Sequence, residues 1–153
     1  MMMLPQSIDI PETWERAAEE AARCRGTVLV IGATDVGKST LVGYLMEYLL
    51  KPGMRLALVD CDVGQTTLGP PTTISMTRID DAASSRGAMR PEKMRFIGSV
   101  SPAGHILEAV VGAEMMVRRA RQSGADMILV DTDGMIEGLA AVKLKYNQVA
   151  LIE

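Results

Sequence analysis

The apolar residues of this chain follow two different spacings. Short apolar runs predict buried strands at 27–31, 55–59 and 127–130. Longer segments repeat their apolar residues every three or four positions and predict amphipathic helices at about 11–25, 37–50 and 102–122. Helices that alternate with apolar strands are typical of parallel sheets. The pattern therefore predicts a three-layer α/β fold, in which a mostly parallel sheet with right-handed crossovers is flanked by helices.

Residues that commonly begin helices set several boundaries. Pro11 is predicted to begin the first helix. Ser101 is predicted to be the N-cap of the long helix, with Pro102 as its first residue. The chain is thus expected to consist of an N-terminal lead-in and cover helix (1–26) and one main domain (27–153).

Weaker patterns fill the rest of the chain. Short strands are predicted at 73–76 and 94–97, and the segment between them carries excess positive charge that either meets a phosphate backbone or is simply solvated. Residues 138–145 are predicted to form a short helix or turn, with Lys143 and Lys145 exposed. Residues 149–152 are predicted to begin one more strand.

The strand at 27–31 leads into a sequence that fits G-x-x-x-x-G-K-[ST], the phosphate-binding P-loop. Its glycines let the backbone direct N–H groups at phosphate oxygens, and the following helix adds its positive N-terminal end. Lys38 would reach the β- and γ-phosphates, and the Ser39 hydroxyl would bind Mg²⁺. The predicted nucleotide-binding residues of the loop are Gly32, Ala33, Thr34, Asp35, Val36, Gly37, Lys38, Ser39 and Thr40. The chain is therefore predicted to bind a nucleoside triphosphate with Mg²⁺.

Acidic residues follow two other predicted strands. Asp60 and Asp62 come after the strand at 55–59, and Asp131 comes after the strand at 127–130. Open α/β sheets bind ligands at the carboxyl ends of their strands, so we expect these acids near the P-loop. Either one of Asp60 and Asp62 points into the site, or Asp62 has already left the strand. Asp131 begins a D-x-x-G pattern, in which the acid holds the metal through water and the glycine N–H approaches the γ-phosphate.

Composition and charge narrow the remaining possibilities. The chain is 48% hydrophobic and 3% aromatic, so its core is expected to consist of aliphatic residues and methionine. A net charge of −3 gives no global basic field for nucleic acid, although a local basic patch stays open. Two cysteines favour reduced thiols in the cytoplasm over a disulfide framework. No apolar run approaches the ~20 residues of a membrane span, and no membrane association is expected.

Taken together, the motifs resemble those of a known family. G-x-T-D-V-G-K-S-T at the P-loop, D-x-D-V-G-Q at 60–65 and D-T-x-G at 131–134 are similar to motifs of the polynucleotide 5′-hydroxyl kinases. These P-loop enzymes act in RNA 3′-end processing, tRNA splicing and ribosomal RNA maturation, and have archaeal and bacterial relatives. The resemblance covers about residues 14–153, and D-x-D-V-G-Q is its most specific part. It implies Mg²⁺-dependent transfer of phosphate from ATP to the 5′-hydroxyl of RNA or DNA, and protein partners in RNA processing.

The resemblance also implies roles for individual residues. Lys38 would stabilise the transferring phosphoryl group, Asp62 would be the general base near Mg²⁺, and Gln65 would position substrate or metal-bound water. Thr132 and Gly134 match a T-x-G-W clasp that contacts nucleotide phosphates. The implied catalytic residues are therefore Lys38, Asp62 and Gln65, and the implied metal ligands are Ser39, Asp62 and Asp131. Phosphoryl transfer depends mostly on positioning and charge stabilisation, so this set suffices in outline.

Two features depart from the family pattern. Met135 stands where the clasp has tryptophan, and no R-x-x-x-R lid follows it. Losing lid arginines is expected to lower the transfer rate by ~10³ or more, and we expect the chain to be truncated at its C-terminus. Two other functions stay open: a P-loop ATPase or GTPase switch, which D-T-D-G also fits, and a non-catalytic ATP-binding adaptor.

Overall fold

The computed structural model describes residues 9–51, 53–80 and 89–152. Within these ranges the helices and strands are, in order, α1 (Glu12–Cys24), β1 (Gly26–Val30), α2 (Lys38–Leu49), β2 (Leu56–Asp60), β3 (Thr73–Ile79), β4 (Lys93–Phe96), α3 (Ile106–Gln122), β5 (Met127–Asp131) and α4 (Gly138–Ile152). Much of the charged segment predicted between β3 and β4 lies outside the described residues.

One five-stranded sheet has the order β1-β5-β2-β3-β4. β5 pairs in parallel with both β1 and β2, so that Val30, Asp60 and Asp131 lie side by side where these strands end. β3 is antiparallel to both β2 and β4, which leaves the other four strands running in one direction. The predicted mostly parallel α/β sheet is confirmed, with β3 as the exception. No helix separates β2 from β3, and without a crossover the next strand must return antiparallel.

Helices cover both faces of the sheet and produce the three layers. α1 and α2 pack on one face, where Leu45 and Leu129 belong to the same core. α3 and α4 pack on the other face, where Val117 and Val130 do so. Since neighbouring residues of a strand point to opposite faces, Leu129 and Val130 enter different halves of the core. This packing fixes the parallel strands, whose carboxyl ends carry the residues described below.

The long helix begins later than predicted. α3 starts at Ile106, and residues 99–104 form a turn instead. Ser101 caps this turn and not the helix, because its Oγ accepts the N–H of Ala103 at 3.2 Å. The prediction that the helix starts at Pro102 was wrong because a Ser-Pro pair starts turns as readily as helices.

The predicted strand at 149–152 is also wrong, because these residues form the last turn of α4. The buried residues of α4 lie on one helical face: Ala141, Leu144, Gln148 and Ile152. Only four apolar residues supported the strand, and a run that short does not distinguish a strand from a buried helical turn. Lys145 departs from the prediction as well, since its side chain is only 11% exposed.

α1 lies against α2 and contributes to the same core. Trp14 is half-buried, and its ring centroid is 5.9 Å from that of Tyr44. Cys24 at the end of α1 is exposed and Cys61 is buried, and both are free thiols. In the described part of the chain, every helix is too short or too polar to cross a bilayer.

Candidate active site

Four loops at the carboxyl ends of the strands surround a cavity of about 570 Å³. They are the loop between β1 and α2, the turn after β2, the turn before α3 and the segment after β5. The lining residues are Thr34, Asp35, Gly37, Lys38, Ser39, Thr40, Asp62, Gly64, Gln65, Val100, Ser101, Pro102, Asp133, Gly134 and Met135. This is the side on which open α/β sheets bind their ligands.

The loop between β1 and α2 has the backbone of a phosphate-binding loop. Asp35 and Gly37 take left-handed conformations, with φ of 60° and 90°, and α2 begins directly afterwards at Lys38. Gly32 lies beside the lysine, where an added Cβ would stand 3.4 Å from Lys38 Cγ. Lys38 Nζ donates to the Ala33 carbonyl at 2.7 Å. The ammonium group is thus held over the loop, at the N-terminus of a helix that attracts anions.

Ser39 and Asp131 form a polar pair next to this loop. Ser39 Oγ donates to Asp131 Oδ2 at 2.7 Å, whereas Asp131 Oδ1 is buried without a hydrogen-bond partner. Burial raises the pKa of Asp131 to about 6; the Ser39 hydroxyl opposes this increase, and the charge of Asp60 adds to it. A buried carboxylate oxygen without a partner is a ligand atom available to a cation.

This donor set fits Mg²⁺ better than a metal held by protein ligands alone. Over the ranges that the structure describes, no three His, Cys, Asp or Glu side chains come together in a group that could hold a metal. Mg²⁺ commonly takes one or two carboxylates and completes its octahedron with waters and substrate phosphates. Ser39 and Asp131 beside a phosphate-binding loop are consistent with that pattern.

The Asp131→Asn variant is expected to be more stable than the wild type at neutral pH. The pKa of Asp131 is about 6 in the folded protein, whereas the ordinary value for an aspartate, which applies in the unfolded chain, is 3.8. The folded state therefore binds the proton of the Asp131 carboxyl group more tightly than the unfolded state does. The stability that the protonated Asp131 contributes at low pH is consequently lost as the pH rises through the folded pKa. The loss amounts to at most about 3 kcal/mol at neutral pH. Thermal unfolding from about pH 4 to about pH 8 should show a Tm gain for the variant that disappears at the acid end.

Asp126 provides the matched control for this measurement. Hydrogen bonds from Arg55 lower its pKa to about 2, so Asp126→Asn should lower the Tm at neutral pH. A gain for Asp131→Asn of the same size at both ends of the pH range would contradict the raised pKa of Asp131.

Asp60 holds the loop that follows β2. It is the last residue of that strand and is buried. Its Oδ2 accepts the backbone N–H groups of Thr67 and Leu68 at 2.6 and 3.0 Å, and the Thr66 hydroxyl donates to the same atom at 2.9 Å. Burial raises the pKa of Asp60, and these donors oppose the increase. Asp60 is therefore a structural residue behind the site.

Asp62 has left the strand and lines the cavity. Its Oδ1 accepts the N–H groups of Gly64 and Gln65 at 3.0 and 2.8 Å, and this tight turn places Gln65 in the cavity wall as well. Only glycine fits at position 64, because an added Cβ would stand 2.7 Å from the Val100 carbonyl oxygen. One of the two acids therefore reaches the cavity, and it is Asp62.

The turn before α3 is a wall of the site that sequence reasoning missed. Val100, Ser101 and Pro102 line the cavity, and Ser99 Oγ accepts the Ser101 N–H at 3.2 Å. The Ser-Pro pair is also typical of a helix start, which is how the sequence pattern predicts it. Its position after a predicted strand was the signal that could have identified it, since ligands bind at the carboxyl ends of strands.

The segment after β5 packs directly on the P-loop. An added Cβ on Gly134 would stand 2.6 Å from the Thr34 backbone nitrogen and 2.8 Å from its Cα, so a larger residue cannot fit. Thr132 does not line the cavity: it is buried, and its hydroxyl donates to the Val30 carbonyl at 2.7 Å. Of the two predicted clasp residues, only Gly134 therefore faces the site.

The structure brings most of the predicted residues into one cavity. Those that line it are Thr34, Asp35, Gly37, Lys38, Ser39, Thr40, Asp62, Gln65 and Gly134. Those that do not line it are Gly32, Ala33, Val36, Asp131 and Thr132. Among the latter, Asp131 is hydrogen-bonded to the cavity residue Ser39. Asp133 lines the cavity too, although the sequence reasoning gave it no role.

Known proteins share this sequence pattern. Residues 32–153 match the family described as mRNA cleavage and polyadenylation factor CLP1 P-loop. The polyribonucleotide 5′-hydroxyl-kinase of Pyrococcus horikoshii is 35% identical over 147 residues, which are 95% of this chain and 40% of that protein. Its namesake in Thermococcus kodakarensis is 37% identical over 147 residues, covering 95% of this chain and 41% of the relative. The chain thus spans about two fifths of the length of these curated relatives.

Solved structures share the fold. A wild-type Clp1p–Pcf11p complex matches with a TM-score of 0.71 and 14% identity, over 92% of this chain and 39% of that one. A second structure of the interface between these proteins has a TM-score of 0.66 at 14% identity, over 90% of this chain and 40% of that one. At such low identity the likeness shows the fold alone. Because the family match extends over residues 32–153, the chain belongs to the CLP1 P-loop family, which confirms the resemblance to the polynucleotide 5′-hydroxyl kinases.

Proposed function

We propose that this chain carries the nucleotide-binding and phosphoryl-transfer site of a polynucleotide 5′-hydroxyl kinase that uses ATP. The observation that carries the proposal is that Asp62 and Gln65 share one cavity with Lys38 and Ser39. A nucleotide switch needs Lys38, Ser39 and a side chain such as Gln65 that orients water, whereas a kinase also needs a carboxylate such as Asp62 where the acceptor hydroxyl enters. The relatives named polyribonucleotide 5′-hydroxyl-kinase support this choice.

The P-loop side of the cavity binds the triphosphate. The loop N–H groups and the N-terminus of α2 receive phosphate oxygens. Lys38 exchanges the Ala33 carbonyl for phosphate oxygens, where its ammonium group stabilises the charge of the transferred group. Ser39 and Asp131 would hold Mg²⁺, with Asp62 near the ion, and the ion would neutralise further phosphate charge when bound.

Asp62 and Gln65 act on the acceptor. The 5′-hydroxyl oxygen bonds to the γ-phosphorus, the bond from that phosphorus to the ADP oxygen breaks, and the hydroxyl proton passes to Asp62. Oδ1 of Asp62 already accepts two N–H groups, so Oδ2 is the atom that takes the proton. The Gln65 amide both donates and accepts, and it orients the hydroxyl or a water beside it.

The macromolecular part of the proposal rests on the relatives. We take RNA or DNA with a 5′-hydroxyl end as the substrate, because the relatives are named for that reaction on polyribonucleotides. An RNA-processing protein is the proposed partner, because the solved structures of similar fold are Clp1p complexes with Pcf11p. The division of the chain at residues 26 and 27 and its cytoplasmic location stay predictions.

Transfer of label from ATP tests this function. The full chain is incubated with Mg²⁺, γ-labelled ATP and an oligonucleotide that carries a 5′-hydroxyl, and the products are separated. Label on the oligonucleotide is the expected result. Free phosphate without labelled oligonucleotide would instead support an ATPase switch, and the absence of both products would support a nucleotide-binding adaptor.

A further inference from the structure

A largely buried ion pair lies next to the cavity, between the segment after β5 and helix α4. Lys145 Nζ donates to Asp133 Oδ2 at 2.9 Å and to the backbone carbonyl of the same residue at 3.0 Å. The two side chains are only 11% and 7% exposed. Desolvation offsets much of the attraction in such a pair, so its contribution to net stability is small. We therefore take the main effect of the ion pair to be the orientation of Asp133, and not a gain in stability.

The pair fixes three consecutive residues of the cavity wall. Asp133, Gly134 and Met135 all line the cavity. Lys145 binds both the side chain and the backbone of Asp133, and Asp133 Oδ1 in turn accepts the N–H of Met135 at 2.9 Å. The segment therefore cannot shift without losing hydrogen bonds to charged groups, which are among the stronger ones in proteins.

The fixed segment contacts the phosphate-binding loop. Gly134 lies so close to Thr34 that an added Cβ would stand 2.6 Å from its backbone nitrogen. Asp131 comes just before the segment and accepts a hydrogen bond from Ser39. The segment thus lies on the side of the loop where the metal and the terminal phosphate would bind. Lys145 does not line the cavity, yet only Asp133 and Gly134 separate it from the loop.

We propose that Lys145 is a positioning residue: it holds the 133–135 segment against the P-loop and so gives the site its preference for a nucleoside triphosphate over a diphosphate. The inference rests on the proposed nucleotide site but does not require phosphate transfer. The α- and β-phosphates are held by the N–H groups of the loop and by α2, which a shift of the segment leaves in place. The γ-phosphate is the group that the Gly134 N–H would reach, because the Met135 N–H already donates to Asp133 Oδ1.

Titration calorimetry of the full chain with ATP and with ADP, each in the presence of Mg²⁺, tests the proposal. Lys145→Met removes the charge and both hydrogen bonds but keeps the length of the side chain. We expect its affinity for ATP to fall about tenfold, which corresponds to one lost hydrogen bond to a charged group, and its affinity for ADP to change by less than about twofold. Lys143→Met is the matched control, because Lys143 is exposed on the same helix and both affinities should stay unchanged.

Two further variants separate positioning from folding. Lys145→Arg keeps the charge and the donors and should retain most of the ATP preference. If Lys145→Met does not fold, Lys145→Gln, which keeps a donor, provides the same comparison. An equal loss of ATP and ADP affinity, or an unchanged ratio, would overturn the proposal. Failure of the proposed function is a separate result, in which the wild type prefers ATP to ADP but labels no oligonucleotide.

Discussion

The Lys38→Ala variant is expected to transfer phosphate at least about 10³-fold more slowly than the wild type and to bind ATP at least about tenfold more weakly. Lys38 is the only lysine or arginine among the residues described as lining the cavity, whereas Asp35, Asp62 and Asp133 contribute three carboxylates to its walls. Removing the ammonium group leaves an acidic cavity that repels a triphosphate. The lysine is also the group that stabilises charge on the phosphoryl group as it moves.

Binding of ATP by calorimetry and transfer of label under single-turnover conditions measure the two effects separately. Lys51→Ala is the matched control, because Lys51 is exposed just after α2 and its Nζ lies over the ring of Tyr48, at 5.0 Å from the centroid. Its ATP affinity should equal that of the wild type. An unchanged ATP affinity in Lys38→Ala would rule out the P-loop as the phosphate site.

The Asp62→Asn variant is expected to fold and bind ATP normally while losing phosphate transfer by a factor of about 10²–10⁴. An asparagine Oδ1 can still accept the N–H groups of Gly64 and Gln65 that Asp62 accepts, so the turn is preserved. What disappears is the carboxylate that takes the proton of the attacking hydroxyl. Single-turnover transfer, ATP affinity and Tm measured on one preparation distinguish these effects, and unchanged transfer would remove Asp62 as the general base.

Asp60→Asn provides the contrasting variant. Asp60 Oδ2 accepts two backbone N–H groups and hydroxyls from the loop after β2, and an amide NH₂ group in that position would face donors. The variant should therefore lose about 1–3 kcal/mol of stability. Loss of transfer in Asp60→Asn at full stability, together with normal transfer in Asp62→Asn, would mean that the roles of the two acids are the reverse of those proposed.

The sheet and the P-loop could be predicted because their signals are local. All five residues of β2 and of β5 are buried, and strands covered on both faces appear in a sequence as continuous apolar runs. The P-loop motif names its own residues by spacing, and the chain places it between a strand and a helix. The acids at the ends of β2 and β5 follow from the same reasoning, since the strands run in parallel.

The missed features depend on contacts between distant parts of the chain. Lys145 is predicted to be exposed because a lysine on a short helix normally is, and only the packed structure shows Asp133 beside it. Thr132 fits the clasp pattern, but it is buried, and its hydroxyl donates to the carbonyl of Val30 on another strand. The wall formed by 100–102 depends on the close approach of Gly64 to Val100, which no local pattern records.

In the proposed reaction, the phosphate bound over Lys38 passes to a 5′-hydroxyl activated by Asp62. Two oligonucleotides of one sequence test it most directly, one with a 5′-hydroxyl and one with a 5′-phosphate, each incubated with the full chain, Mg²⁺ and γ-labelled ATP. Nuclease digestion then shows which nucleotide carries the label. We expect label on the 5′-terminal nucleotide of the first oligonucleotide and none on the second. ATP hydrolysis that leaves both oligonucleotides unlabelled, or label that appears equally on both, would contradict the proposed reaction.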